Sequence, residues 1–135
     1  MFQFLSLWLL EKTVMENIFE VVQAIVFGLL VATFLLNTNR VLKAMELCRE
    51  CLILLNNKAL NKEEEFLKKL RIPIYRLIFK GYDVNKSDLT GAIECGSKLL
   101  VLLSECDRKD EEGKVSLKLA QLYHLQGKYL SLIQI

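Results

Sequence analysis

The sequence predicts an all-α fold. Hydrophobic residues make up 53% of the 135 residues, whereas one proline and six glycines leave few places where a helix has to stop. Apolar residues recur at helical spacing, and the alternation of valine, isoleucine and threonine that is typical of strands is rare. The length corresponds to about one domain of ordinary size.

The first element is an apolar N-terminal helical segment, residues 1–36, and the rest of the chain, residues 37–135, is expected to form helical repeats. Before Arg40 the only charged side chains are Glu11, Lys12, Glu16 and Glu20, whereas charges are dense after it. The change in composition at residues 37–40 is therefore the one internal boundary, and it is expected to be a short turn.

Residues 21–36 carry no charge and allow two interpretations. In the first, they form a helix that packs on the helix after Arg40, and the protein is cytoplasmic. In the second, residues 17–36 cross or contact a membrane, and Arg40 and Lys43 keep the C-terminal part in the cytoplasm. A spanning helix needs about 20 mostly apolar residues, and Glu20 and Gln23 make this segment short, so we favour the first interpretation.

A repeat indicates the next elements. Residues 41–57 align with residues 89–105 at an offset of 48, which pairs Ala44 with Ala92 and Leu52 with Leu100. A small alanine followed by apolar residues at helical spacing lets a neighbouring helix approach closely. The sequence therefore predicts two similar packed helices. Between them we expect a longer helix at about 62–82, capped by Asn61 and bent or split by Pro73.

The last element contains the stretch LAQLYHLQGKY, residues 119–129. This pattern resembles the tetratricopeptide repeat (TPR) family, in particular the roughly 40-residue variety of Pins-type scaffolds, over about residues 40–129. The resemblance implies antiparallel helix pairs stacked as a short α-solenoid. It also implies that Ala120 admits the paired helix, that Gly127 ends the first helix with a positive φ, and that Tyr129 begins the next. The matching structural positions are Ala44, Ala92, Leu119, Ala120, Tyr123, Gly127 and Tyr129.

Helical spacing further predicts one core cluster from two adjacent helices, made of Ala92, Leu99, Leu103, Leu119, Ala120 and Tyr123. The last repeat is expected to be truncated, since residues 130–135 supply at most two turns of its second helix. The chain is thus expected to be a fragment of a longer array or, as the alternative, to have an unusual last repeat.

The TPR resemblance implies a protein-interaction scaffold that binds a partner peptide on a concave, mildly basic helical face. The candidate peptide-binding residues are Arg76, Lys80, Lys114, Gln121 and His124. A plain solvated face is the competing interpretation for each of them. The alternative function is a single-pass or membrane-associated helical protein with a cytoplasmic TPR-like adaptor.

Chemistry of other kinds is not expected. The sequence contains no glycine-rich phosphate loop or HExxH, and a single histidine leaves little acid–base chemistry, so we predict neither an enzyme nor a cofactor. Cys48 and Cys51 would need two further ligands to hold zinc, and His124 lies in another segment, so no metal is expected. The four cysteines are interpreted as reduced. A net charge of +2 gives no reason to expect nucleic acid as a partner.

Overall fold

A computed structural model of the chain describes residues 18–56, 64–86 and 88–133, and nearly all of them are helical. No strand occurs in these residues, so the predicted all-α class is confirmed. The five helices are α1 (Ile18–Asn37), α2 (Val41–Leu55), α3 (Glu64–Val84), α4 (Leu89–Glu105) and α5 (Lys109–Ile133).

Each helix packs on the helix that follows it, and α1 also touches α3. Helices α1, α2 and α3 share one core cluster, in which Ile25, Cys51 and Ile74 are fully buried. Leu99 and Leu103 lie in a second cluster between α3, α4 and α5. Residues 21–36 therefore pack on α2, as the first interpretation of the sequence predicted. The stacking of TPR-type pairs stays a prediction.

The same turn closes α1 and α4. Asn39 (φ 65°) and Asp107 (φ 56°) are left-handed, a conformation that asparagine and aspartate tolerate better than most residues. The next backbone N–H then bonds back to a carbonyl five residues earlier, which is the Schellman arrangement. The two bonds run from Arg40 to Leu35, at 2.8 Å, and from Arg108 to Leu103, at 2.9 Å. The turn predicted at residues 37–40 is thus present, and its twin lies at residues 106–108.

The burial pattern of α2 repeats in α4 at the predicted offset of 48. Every aligned pair from Val41 and Leu89 to Asn56 and Ser104 has the same burial class, with three exceptions. The exceptions are Lys43 with Gly91, Arg49 with Ser97, and Glu50 with Lys98. Ala44 and Ala92 are both buried, at 4% and 5% exposure, as close helix approach requires.

A second internal similarity, which the sequence analysis did not predict, relates α1 to α4. Residues 24–40 align with residues 92–108 at an offset of 68, and both stretches begin Ala-Ile-x-x-Gly and end in the turn arginine. In α4 the glycine is required by close packing. A Cβ on Gly96 would lie 2.7 Å from both Phe79 Cε1 and Leu119 Cδ2, so α3 and α5 approach α4 across this position.

Helix α3 runs through Pro73 without dividing, close to the predicted bounds of 62–82. Proline removes one backbone donor and crowds the preceding turn. Its neighbours Ile72 and Ile74 are both 0% exposed, and their burial offsets that cost. The predicted cap at Asn61 lies outside the described residues.

Helix α5 corrects the expectation taken from the TPR motif. It continues through Gly127 and Tyr129 to Ile133, and no described glycine has a positive φ. Glycine permits a left-handed turn but does not impose one. The expected break at Gly127 and restart at Tyr129 are therefore wrong.

The expected six-residue core cluster is correct only in part. Leu99, Leu103 and Leu119 share a cluster, whereas Ala92 is buried outside it. Ala120 is exposed, and Tyr123 is 53% exposed. The reason is that α4 lies between α3 and α5, while α5 is the last described helix and has a covered side and an open side.

Candidate functional site

Two ion pairs join α3 to α5 and fix their relative direction. The Arg76 guanidinium donates to both carboxylate oxygens of Glu111, at 2.6 and 2.7 Å. Lys118 forms the second pair with Asp83. The partners are two turns further along each helix, seven residues from 76 to 83 and seven from 111 to 118. The two helices therefore run in the same direction, and both pack on α4.

The first of these pairs changes the ionisation of its members. The hydrogen bond from Arg76 holds the pKa of Glu111 below its ordinary range, and the bond to Glu111 raises the pKa of Arg76. Bidentate guanidinium–carboxylate bonds are among the stronger side-chain bonds because both groups are charged and their shapes match. The guanidinium of Arg76 is therefore already bonded to Glu111 of the same chain.

A cleft opens beyond the second pair because the helices have different lengths. Helix α3 ends at Val84, and α4 has 17 residues against the 25 of α5. The end of α5 therefore extends about eight residues, or roughly 12 Å, past its antiparallel partner. The space beside this overhang has a volume of about 290 Å³. Its lining residues are Phe79, Tyr82, Asp83, Lys86, Asp88, Leu89, Ala92, Lys118, Gln121, Leu122, Leu125 and Tyr129. We call it the α3–α5 cleft.

The cleft has an apolar interior. Ala92 alone is buried among the described lining residues, and it lies at the base. Phe79 contributes the α3 side. Leu125 and Tyr129 contribute the α5 side, and they are 39% and 53% exposed. Large apolar side chains that remain this exposed beside a small buried residue leave a surface that an apolar partner can fill.

The beginning of α4 fixes one end of the cleft. The Asp88 carboxylate caps the helix by accepting the Gly91 N–H at 2.8 Å. The Tyr82 hydroxyl accepts a hydrogen bond from Arg49 at 3.1 Å, which ties it to α2. A Cβ on Gly91 would lie 2.5 Å from the Asp88 carboxylate and 2.8 Å from the Tyr82 hydroxyl. The missing side chain of Gly91 therefore leaves room for both polar groups beside the first turn of α4.

The charges at the rim are balanced. Asp83 and Asp88 are acidic, and Lys86 and Lys118 are basic. The cleft is therefore not the mildly basic face predicted from the sequence, which was placed mostly at other residues and stays a prediction. A rim with both signs favours neither a simple anion nor a cation.

Most of the five predicted binding residues lie outside this cleft, and their role in peptide binding stays a prediction. Gln121 lines the cleft, whereas Arg76 is held by Glu111. The remaining three are exposed and lie outside the lining: Lys80, Lys114 and His124. Among the motif residues, Tyr129 lines the cleft in place of starting a new helix.

Sequence reasoning missed Tyr82, Asp88 and Leu125 as lining residues. The signal that could have found them is the mismatch in length between α4 and α5. The predicted helix end at Gly127 implied a shorter α5, which extends less far past α4.

The cysteines lie away from the cleft and are all free thiols. Burial raises the pKa of Cys48, Cys51 and Cys95 to about 12, which keeps these thiols protonated and unreactive at neutral pH. In the described part of the chain, no three histidine, cysteine, aspartate or glutamate side chains come together in a way that could hold a metal ion.

Comparison with known proteins places the chain in no group. No family model, curated protein or solved structure matches it.

Proposed function

We propose that the protein is an interaction module that binds an apolar stretch of a partner protein in the α3–α5 cleft. The observation that carries this proposal is the open apolar interior, with Ala92 at its base and Leu125 and Tyr129 exposed on one side.

The size and chemistry of the cleft favour a peptide over a small-molecule cofactor. Ligand pockets typically have volumes of about 300–1,000 Å³, and this cleft is at the lower end, at about 290 Å³. Such a space suits one or two apolar side chains of a partner. The balanced rim suits the polar residues that flank such side chains in an amphipathic helix, which is a common mode of peptide recognition.

The test is selection of peptides from a random display library, followed by measurement of the dissociation constant of the enriched sequences. The double variant Leu125→Glu, Tyr129→Glu changes the α5 side of the cleft. The double variant Leu117→Glu, Leu130→Glu is the matched control, since both residues are exposed on α5 and do not line the cleft.

The expected result is enrichment of peptides with a large apolar residue, and a loss of affinity of roughly tenfold or more in the cleft variant. The control should bind within about twofold of the natural sequence. Equal losses in both variants, or no enriched peptide, would contradict the proposal.

A further inference from the structure

Most of the charges at the rim of the α3–α5 cleft already have partners within the chain. Lys118 of α5 pairs with Asp83 of α3. The Asp88 carboxylate accepts the Gly91 N–H at 2.8 Å and lies at the N-terminus of α4, where the positive end of the helix dipole offsets a negative charge. Lys86 is then the rim charge that has no partner among the residues that the structure describes.

The polar groups that remain available around the cleft are hydrogen-bond donors. Lys86 follows the end of α3 at Val84, lines the cleft and is exposed. Its ammonium group offers three donors on a flexible stem. Gln121 and Tyr129 also line the cleft, and neither forms a hydrogen bond within the described part of the chain. All three side chains can donate to a bound partner, and one of them carries a positive charge.

The rim is therefore neutral in formal charge but not in the charge that it offers to a ligand. An acidic side chain of a partner would meet Lys86. A basic side chain would meet only carboxylates that are already bonded, and it would have to break the contact of Asp83 or Asp88 to bind them. Breaking such a contact costs free energy. Charge complementarity thus selects an acidic residue in the partner over a basic one.

We propose that the partner segment carries an aspartate or glutamate within about one helical turn of the apolar side chain that fills the cleft, and that Lys86 binds this carboxylate. The inference rests on the proposed function, since it names the chemistry of the segment that the cleft binds. Side chains three or four positions apart lie on one face of a helix, so one turn of an amphipathic helix supplies both groups. The apolar side chain supplies most of the affinity, and the carboxylate determines which segments bind, because an exposed ion pair contributes little by itself.

The test uses synthetic peptides built on a sequence that the display library enriches, with the large apolar residue unchanged. Each peptide carries glutamate, glutamine or lysine at a position three or four residues from that apolar residue. At one of these positions or more, the glutamate peptide should bind about two- to fivefold more tightly than the glutamine peptide, and the lysine peptide should bind most weakly.

Variants of the protein assign this preference to Lys86. Lys86→Gln should make the glutamate and glutamine peptides bind equally, and Lys86→Glu should reverse the order so that the lysine peptide binds most tightly. The matched control is Lys69→Gln, which removes the same charge from an exposed position near the other end of α3, away from the cleft lining. The control should keep the preference for glutamate.

The results distinguish this inference from the proposed function. Peptides that bind the cleft without a preference for glutamate, or with a preference that survives Lys86→Gln, would overturn the role of Lys86 and leave the cleft as an apolar binding site. Binding that is unaffected by Leu125→Glu, Tyr129→Glu would overturn both. A dimer seen by sedimentation velocity and abolished by Leu125→Glu, Tyr129→Glu would also overturn the inference, because a second copy of the chain would then fill the cleft.

Discussion

Helices α4 and α5 are neighbours in the fold, yet they differ in how much of their apolar surface is covered. Helix α4 packs between α3 and α5, and its buried residues include Ala92, Leu99 and Leu103. On α5, Leu117 and Tyr123 are 64% and 53% exposed. The difference teaches that helical spacing identifies a core face reliably only where a helix has neighbours on both sides. On the last described helix the same spacing produces open surface, and one part of that surface is the α3–α5 cleft.

The largest difference in the free energy of unfolding is expected between truncating a buried leucine and truncating an exposed one. Leu103→Ala should lower the free energy of unfolding by about 2–5 kcal/mol, because Leu103 is 0% exposed in the α4 core and its truncation leaves a cavity. Leu130→Ala, at a residue 54% exposed on α5, should change it by at most about 0.5 kcal/mol. Urea unfolding followed by circular dichroism measures both. Similar costs at the two sites would mean that α5 is covered as α4 is.

Two alanines make the second contrast. Ala44→Leu should overpack the core shared by α1, α2 and α3 and cost about 1–3 kcal/mol, because Ala44 is buried there. Ala120→Leu should be nearly neutral, within about 0.5 kcal/mol, because Ala120 is exposed. The measurement is the midpoint of thermal unfolding for both variants. A large fall in the unfolding midpoint of Ala120→Leu would indicate that a paired helix covers this position, as the TPR motif implies.

Replacing a glycine of α5 with alanine should have a smaller effect on the free energy of unfolding, and it should stabilise the protein. Gly127→Ala should stabilise the protein by about 0.5–1 kcal/mol, because alanine favours the interior of a helix and a Cβ there meets no atom within 4 Å. Gly113→Ala, equally unobstructed in the same helix, is the matched control. If Gly127 instead ended the helix with a positive φ, the first variant would destabilise while the control still stabilised.

The smallest effect concerns the bond between α3 and α5. A double-mutant cycle of Arg76→Gln and Glu111→Gln should give a coupling of about 0.2–1 kcal/mol at neutral pH, since both side chains are partly exposed. The pKa of Glu111 is lower in the folded chain than in the unfolded one. The contribution is therefore present above the ordinary glutamate pKa and is lost as the pH falls through the depressed value. Coupling that is unchanged in acid would show that the pair is not formed.

Much of the fold could be predicted from the sequence, and particular residues show why. The repeat of Ala44 and Ala92 predicted two matching helices because burial follows local apolar spacing, and both alanines are buried. The turn at residues 37–40 was predictable from the change in composition. Helix α3 was predicted almost to its ends, although the effect of Pro73 depends on the burial of its neighbours, which the local sequence does not determine.

The candidate site was much less predictable. Lys80 and His124 were expected in it from a family pattern, whereas they lie outside the cleft lining. Asp88 and Tyr82 both lie beside Gly91 only because α4 packs on α3 and the glycine has no side chain. Such arrangements join residues from different helices, so a local sequence pattern does not predict them. The cleft itself depends on where α5 ends, and helix ends are poorly determined by propensity alone.

The continuity of α5 through Gly127 is the claim on which the α3–α5 cleft depends, because Tyr129 reaches the lining only if the helix does not turn there. The most direct measurement is the set of backbone chemical shifts of residues 124–131 by NMR spectroscopy. The account predicts helical Cα shifts at every one of these residues, including Lys128 and Tyr129. Non-helical shifts at Gly127 and Lys128, with helical shifts resuming at Tyr129, would contradict it and restore the turn that the TPR motif implies.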